Sequence, residues 1–175
     1  MEYLDSLLAA LGSRPSRFEL VFEDGQGRRG RYVGEVRDGK ANGYGRWVCD
    51  PDGKCVSLCA TPPARDACLP RYAPEYTGDF VDNQMHGRGV KRWTTGEYAG
   101  NSYHGGFRRD KKHGLGGVYT WANGDVFRGS WCDGPRHGTG VFYRAADGAE
   151  ERRTYARGAL VEKDGIAHSA YYPRV

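Results

Sequence analysis

The sequence predicts an all-β fold: an elongated, twisted, single antiparallel sheet of stacked β-hairpins with a short N-terminal helix. Three observations carry that prediction. An aromatic residue followed two positions on by Gly, and two further on by a large apolar residue, recurs at Tyr32-Gly34-Val36, Tyr76-Gly78-Phe80, Tyr103-Gly105-Phe107 and Phe127-Gly129-Trp131. In every copy the first Gly of a Gly-x-Gly follows eleven residues after the opening aromatic, at Gly43, Gly87, Gly114 and Gly138. Gly makes up 27 of 175 residues, about twice the usual share, and it falls at fixed offsets. Self-similarity of this kind marks an array of one unit and takes precedence over any motif search.

The bulk composition agrees. Hydrophobic residues are only 38% of the chain while aromatics reach 13%, a balance that suits a thin sheet with aromatic pegs better than a compact globule. The net charge of +4 is mild, and the charges alternate in sign. It allows attraction to anionic surfaces without implying nucleic acid. No apolar run approaches a membrane span. Acidic Glu2 and Asp5 without a basic lead-in do not read as a secretory signal, so an intracellular setting with reduced thiols is expected.

In chain order, residues 1–14 read as an amphipathic helix. Leu4, Leu7, Leu8 and Leu11 form one apolar stripe, Gly12 is a plausible stop and Pro15 prevents continuation. About eleven residues are too few to be stable alone, so the stripe is expected to cap this chain's own sheet or to pair with a second copy or a partner. From Phe18 the period changes to two, and residues 18–25 read as the second strand of an incomplete opening repeat ending in Asp24-Gly25.

Full repeats are expected at 32–53, 76–96, 103–124 and 127–148, and a decayed hairpin at 155–165 opened by Tyr155. These make up an array over 18–168, with a tail at 169–175. The extra Tyr98-x-Gly100 leaves the register between the second and third repeats open, and Gly116-Gly117 is a bulge candidate. The array is interrupted at 54–74 by a Cys- and Pro-rich insertion, long for a connection within a domain. Cys49, Cys55, Cys59 and Cys68 crowd around it and Cys132 stands apart. Only Cys55-x3-Cys59 has the tight spacing of a structural zinc pair. Plain thiols are the default, with zinc or a disulfide such as Cys55–Cys68 left open.

The spacing makes a hairpin for a simple reason. In a strand, residues i, i+2 and i+4 share a face. Tyr76, Gly78 and Phe80 therefore lie on one side, with Gly as the gap between two rings, over which an aromatic of the adjacent strand is expected to pack. The Gly87-x-Gly89 return strand then passes close to its partner's aromatics. About a dozen such strands would extend some 50–60 Å.

This frame closely resembles the MORN (membrane occupation and recognition nexus) repeat family. Met85-His86-Gly87-Arg88-Gly89, Lys112-His113-Gly114-Leu115-Gly116 and Arg136-His137-Gly138-Thr139-Gly140 each match its central His-Gly-x-Gly motif. The first repeat departs from it, with Asn42 for His and Val36 for the second aromatic. The resemblance implies an extended antiparallel sheet that serves as a binding or scaffolding module in cytoskeletal or membrane-contact settings.

No catalytic, metal or cofactor site is expected. His86, His113 and His137 recur once per repeat before a turn Gly, so each reads as a hydrogen-bond partner of a neighbouring turn. Phosphate-loop, Gly-x-Ser-x-Gly and His-Glu-x-x-His motifs are missing. The aromatic row Tyr76, Phe80, Tyr103, Phe107, Phe127 and Trp131 is the expected surface for a partner helix or peptide. Arg88, Lys91, Arg92, Arg108, Arg109, Lys111, Lys112 and Arg136 read as edge protection or as a surface for anionic lipid or an acidic partner. The leading expectation is a scaffold or adaptor in the cytoplasm, self-association included. The alternative is a peripheral module on anionic phospholipid.

Overall fold

The computed structural model describes residues 17–50 and 74–166. The expected N-terminal helix with its leucine stripe, the end of the first repeat, nearly all of the insertion with Cys55, Cys59 and Cys68, and the C-terminal tail lie outside the described residues. Twelve strands form one sheet, antiparallel throughout. They are β1 (Arg17–Glu23), β2 (Arg29–Arg37), β3 (Lys40–Cys49), β4 (Pro74–Val81), β5 (Gln84–Trp93), β6 (Ser102–Arg108), β7 (Lys111–Lys112), β8 (Gly114–Thr120), β9 (Val126–Trp131), β10 (Gly138–Tyr143), β11 (Glu150–Ala156) and β12 (Ala159–Ile166). Each pairs with its sequence neighbour, except that β7 and β8 are two pieces of one return strand, both paired with β6. The break falls at His113, and the Gly116-Gly117 bulge candidate lies just beyond it, where the pairing with β9 shifts between Gly114 and Gly117. No α-helix occurs among the described residues. A 3-10 turn spans Gly96–Tyr98, so the extra Tyr98-x-Gly100 sits in a connection rather than in a strand.

The hairpins turn through two residues in the left-handed region: Asp38-Gly39, Asp82-Asn83, Arg109-Asp110, Asp133-Gly134 and Arg157-Gly158. Positive φ at both positions is the type I′ turn, whose twist matches that of the flanking strands. The last four of these turns are each tied to the hairpin before them. The second turn residue donates its N–H to a backbone carbonyl: Asn83 to Ala41, Asp110 to Met85, Gly134 to Lys112 and Gly158 to Arg136, at 2.8–3.0 Å. The first donates to the side chain one residue further on, Asp82 to Asn42 Oδ1 at 3.2 Å, Asp133 to His113 Nδ1 and Arg157 to His137 Nδ1, both at 3.4 Å. His113 and His137 are thus turn acceptors, and Asn42 does their work in the first repeat.

Register explains the two glycines of each motif separately. The second glycine, replaced by Gly117 at the bulge of the third repeat, belongs to a ladder that crosses the sheet from β2 to β10 through Gly34, Gly45, Gly78, Gly89, Gly105, Gly117, Gly129 and Gly140. On it lie Tyr32, Tyr76, Tyr103 and Phe127. Each ring leans along its own strand and covers its own i+2 glycine together with the glycine opposite. The covering ring therefore comes from the same strand, and not from the adjacent one as the spacing suggested. A Cα hydrogen leaves room for a ring that a Cβ would displace. The first glycine has positive φ (Gly43, Gly87, Gly114, Gly138) and pairs with the second ring of the following repeat, as Gly87 does with Phe107 and Gly114 with Trp131.

That second ring wedges edge-on between platforms. Phe80 meets Tyr32 and Tyr76, Phe107 meets Tyr76 and Tyr103, Trp131 meets Tyr103 and Phe127, and Tyr155 meets Phe127, with centroids 4.9–6.0 Å apart. Edge-to-face pairs of this kind add about 0.5–1.5 kcal/mol each beyond burial. The result is one continuous core of rings running through the repeats.

The last hairpin shows how the stack ends. Tyr155 was expected to open a decayed repeat, yet the register pairs it with Gly138, which is the slot of a second ring. The platform slot opposite Phe142 is held by Glu151, and the ladder slot opposite Gly140 by Arg153. Arg153 lies over the Phe142 ring at 3.5 Å. Glu151 accepts from Arg144 and Arg153 and pairs with Lys163; Lys163 first, then Arg153, holds its carboxyl down to about 2. A polar pair thus closes an aromatic column.

Candidate functional site

Residues that share the ring face divide into a buried layer and the side chains that stand on it. All six aromatics expected to meet a partner, Tyr76, Phe80, Tyr103, Phe107, Phe127 and Trp131, belong to the buried layer, at 0–6% exposure. They build the stack. The apolar side chains that remain partly open on that face come from the connection side of the strands: Trp93 and Trp121 pack against Tyr119 at 5.7 and 4.7 Å, and Trp121 reaches Phe142. This second aromatic line follows the last positions of the return strands, which the Tyr-x-Gly-x-Phe frame does not include. Its only sequence trace is the aromatic that precedes the connecting turn at Trp93 and Trp121.

The eight basic residues divide the same way. Arg88, Arg92, Arg108, Arg109 and Lys111 are exposed on turns and on the opposite face. Lys91, Lys112 and Arg136 turn toward the rings. Lys91 occupies a platform slot between Tyr76 and Tyr103 and is 5% exposed. Burial first, then neighbouring Arg28, pushes its ammonium down to about 8, against the pull of Asp24 and Asp110. Lys112 stands 3.9 Å above Trp131, 4.7 Å from Tyr119 and 5.5 Å from Tyr103. Burial, helped by Lys91 and Arg136, pushes it down to about 7. Arg136 lies 4.1 Å above Tyr155 and donates to its hydroxyl at 2.8 Å. Cations placed over ring faces are attracted by the ring quadrupole, so the floor itself holds these three in place.

One wall was invisible in the repeat pattern. The turn of the first hairpin, Asp24 to Arg28, bends over the ring face. Phe22 packs on Tyr32, Trp47 and Phe80. Asp24 pairs with Arg28 and caps the turn from within. Gly25 N–H donates to Asp110 Oδ2 at 3.1 Å, and Met85 N–H to its Oδ1 at 2.8 Å. Burial raises the Asp110 carboxyl. The turn covers Lys91 and leaves a cavity of about 450 Å3 beside it, with Gln26, Arg28, Trp93, Lys112 and Tyr119 among its lining. A second hollow of about 310 Å3 continues past Lys112 to Trp121, Trp131 and Arg136. The two share Lys112, Tyr119 and Gly134 and form one groove, aromatic below, with Arg28, Lys91, Lys112 and Arg136 along it and Asp110 and Asp133 also in its lining.

Chemically the groove can hold an anionic group against a ring, or an apolar side chain beside an anionic one. Nothing in it pairs a nucleophile with a base. His104 and His86 lie outside it, and Cys49 is buried on the first repeat with its thiol 3.6 Å from the Asp50 carbonyl.

The MORN repeat family matches residues 32–54, 76–98, 103–126 and 127–147, together just over half of the chain and in register with the four hairpins described above. Among curated proteins, alsin from Homo sapiens and from Mus musculus is 30% identical over 93 residues, which covers 38% of this chain and 5% of alsin. Rat alsin gives the same values. The chain thus spans about a twentieth of the length of these relatives. The ring-on-glycine hairpins and the matched repeats together place this chain in the MORN-repeat family.

Proposed function

We propose that the chain is a non-enzymatic scaffold or adaptor that holds a helix or peptide of a partner protein along the ring face, in the groove between Trp93, Lys112, Trp121 and Arg136. MORN repeats form a family of non-enzymatic interaction modules. The single observation that carries the reading is that Lys112 and Arg136 stand on an aromatic floor and form no ion pair among the described residues. A desolvated cation without a counter-ion costs free energy that an incoming carboxylate recovers. The fitting segment therefore carries acidic residues beside apolar ones.

The test is a peptide array of acidic, neutral and basic amphipathic sequences, probed with the full chain. Acidic amphipathic peptides should be retained, and Lys112→Glu with Arg136→Glu should abolish retention in a protein whose circular dichroism is unchanged. Equal retention of neutral and basic peptides sinks the reading. A second reading rests on exposed Arg88, Arg92, Arg109 and Lys111, which suit anionic phospholipid at about 1 kcal/mol per basic residue near the surface. It predicts co-sedimentation with phosphatidylserine vesicles that falls with added salt and with Arg109→Glu plus Lys111→Glu. Retention that is equally poor on neutral and anionic vesicles rejects it.

A further inference from the structure

Between successive hairpins the fold repeats one small slot on the turn side of the sheet. It contains the side chain before the first glycine of one repeat, the residue that precedes the turn of the next, and the first residue of that turn. The slot holds Asn42, Val81 and Asp82 between the first and second repeats. It holds His86, Arg108 and Arg109 at the second junction, and His137, Ala156 and Arg157 at the last. Only between the third and fourth repeats does it hold His113, Cys132 and Asp133. Their ligand atoms all lie within 4.8 Å of one another. We propose that His113, Cys132 and Asp133 form a zinc site that staples the third repeat to the fourth.

The geometry favours it on four counts. The backbone under the slot is braced, because Gly134 N–H donates to the Lys112 carbonyl at 2.9 Å and Gly114 pairs with Trp131. His113 presents Nδ1 to the slot as an acceptor, toward the Asp133 N–H at 3.4 Å. A ring nitrogen without a proton is the form that binds metal, and a hydrogen bond that long is a weak competitor. Cys132 is exposed and has no disulfide partner among the described residues, and its sulfur lies 4.0 Å from Asp133 Oδ2. Arg108 holds Asp133 Oδ1 at 2.8 Å. That contact orients the carboxylate and leaves Oδ2 on the side of the thiol.

Zinc bonds of about 2.0–2.3 Å in tetrahedral geometry put donors roughly 3.5 Å apart. A side-chain adjustment of about 1 Å therefore closes the set around the ion. A thiolate, an imidazole and a carboxylate together are a borderline donor set suited to zinc. The fourth position is left to water. Binding deprotonates the Cys132 thiol and releases that proton to solvent, and no oxidation state changes.

The experiment reads Cys132 alone, whatever the cysteines of the insertion do. The full chain is alkylated with iodoacetamide with and without zinc, and the modified peptide containing Cys132 is followed by mass spectrometry. Zinc should slow alkylation of Cys132 in the native protein. His113→Asn should weaken that protection by roughly tenfold or more, as expected for the loss of one element of a metal site. This variant keeps the fold, since Asn42 fills the same slot in the first repeat, and an unchanged thermal melt verifies it. A parallel titration with cobalt should give a thiolate-to-metal charge-transfer band that Cys132→Ser removes. The proposal is overturned by zinc-independent alkylation of Cys132, or by protection that persists unchanged in His113→Asn.

Discussion

The hydroxyl oxygen of Tyr103 lies over Gly117 on the returning strand, where an added Cβ would stand 2.5 Å from it. The ring thereby rests on two glycines, its own Gly105 and Gly117 opposite, and its hydroxyl continues to the carbonyl of Gly106 at 3.2 Å. Repeated along the ladder, this contact makes the backbone itself the floor of the core. Four consequences can be measured.

Gly117→Ala should destabilise the fold by about 1–3 kcal/mol, the usual cost of overpacking a filled core, because both Tyr103 and Trp131 occupy the space of the new methyl. Gly148→Ala is the contrast. Nothing lies within 4 Å of that position, and only its φ of +72° opposes a side chain, so the cost should be about 1 kcal/mol. Urea unfolding of the two variants distinguishes packing from backbone strain. Equal losses would show that the ring does not rest on the ladder.

Phe107→Ala should cost about 3–5 kcal/mol, the range for deleting a buried aromatic, since it removes the wedge between Tyr76 and Tyr103. Tyr76→Phe keeps the platform and loses the hydroxyl's hydrogen bonds to the Asp79 and His86 carbonyls at 3.0 and 3.1 Å, a change of about 1 kcal/mol. Phe127 already fills its platform without a hydroxyl. Guanidinium unfolding should rank the two changes in that order.

His137→Ala should cost about 0.5–1.5 kcal/mol through loss of the acceptor for the Arg157 N–H. His137→Asn should recover most of it, since Asn42 accepts from Asp82 in the equivalent place. Thermal melts of the pair make the comparison. Recovery no better in Asn than in Ala would assign the histidine another role.

The pH dependence follows from two sets of groups. Lys112 and Lys91 are pushed down to about 7 and about 8 by burial. Unfolding returns them to about 10.4, so the unfolded chain binds more protons in between and stability rises with pH from about 7 toward 10. Burial raises the hydroxyls of Tyr32, to about 12, and of Tyr76 and Tyr103 as well. Their contribution is complete below about 10 and is lost as pH climbs through the folded values. Midpoint denaturant concentration should therefore rise between pH 7 and 9 and fall above about 10. Lys112→Met should flatten the rising limb, and an unaltered limb in that variant would place the titrating groups elsewhere.

The all-β class, the stacked hairpins and the turn-acceptor role of His113 and His137 were legible in the sequence, because each depends on local chemistry at a fixed spacing. The direction of the rings was not. Alternation puts Tyr76, Gly78 and Phe80 on one face, but whether a ring leans along its strand or across to a neighbour depends on which glycine stands opposite, and that is a matter of register. The same limit hid the place of Tyr155. Counting from Gly148 makes it the opening aromatic of a repeat, whereas pairing with Gly138 makes it the closing one.

The candidate groove was legible only in part. Lys91, Lys112 and Arg136 stand out as charges, yet their spacing resembles that of Arg88 and Arg92, which face away. Trp93 and Trp121 fall outside the repeated frame, and the Asp24 to Arg28 turn reaches Asp110 across 85 residues of chain.

By itself the sequence determined that this chain is a stack of hairpins: glycine and aromatic spacing leaves few other ways to bury rings with so little aliphatic mass. The tertiary structure alone decided which rings are spent on the core and which cations overlook it. A strand period of two assigns faces only relative to a register, and the curl that brings the first hairpin over the third is a sum of small twists that no single repeat contains.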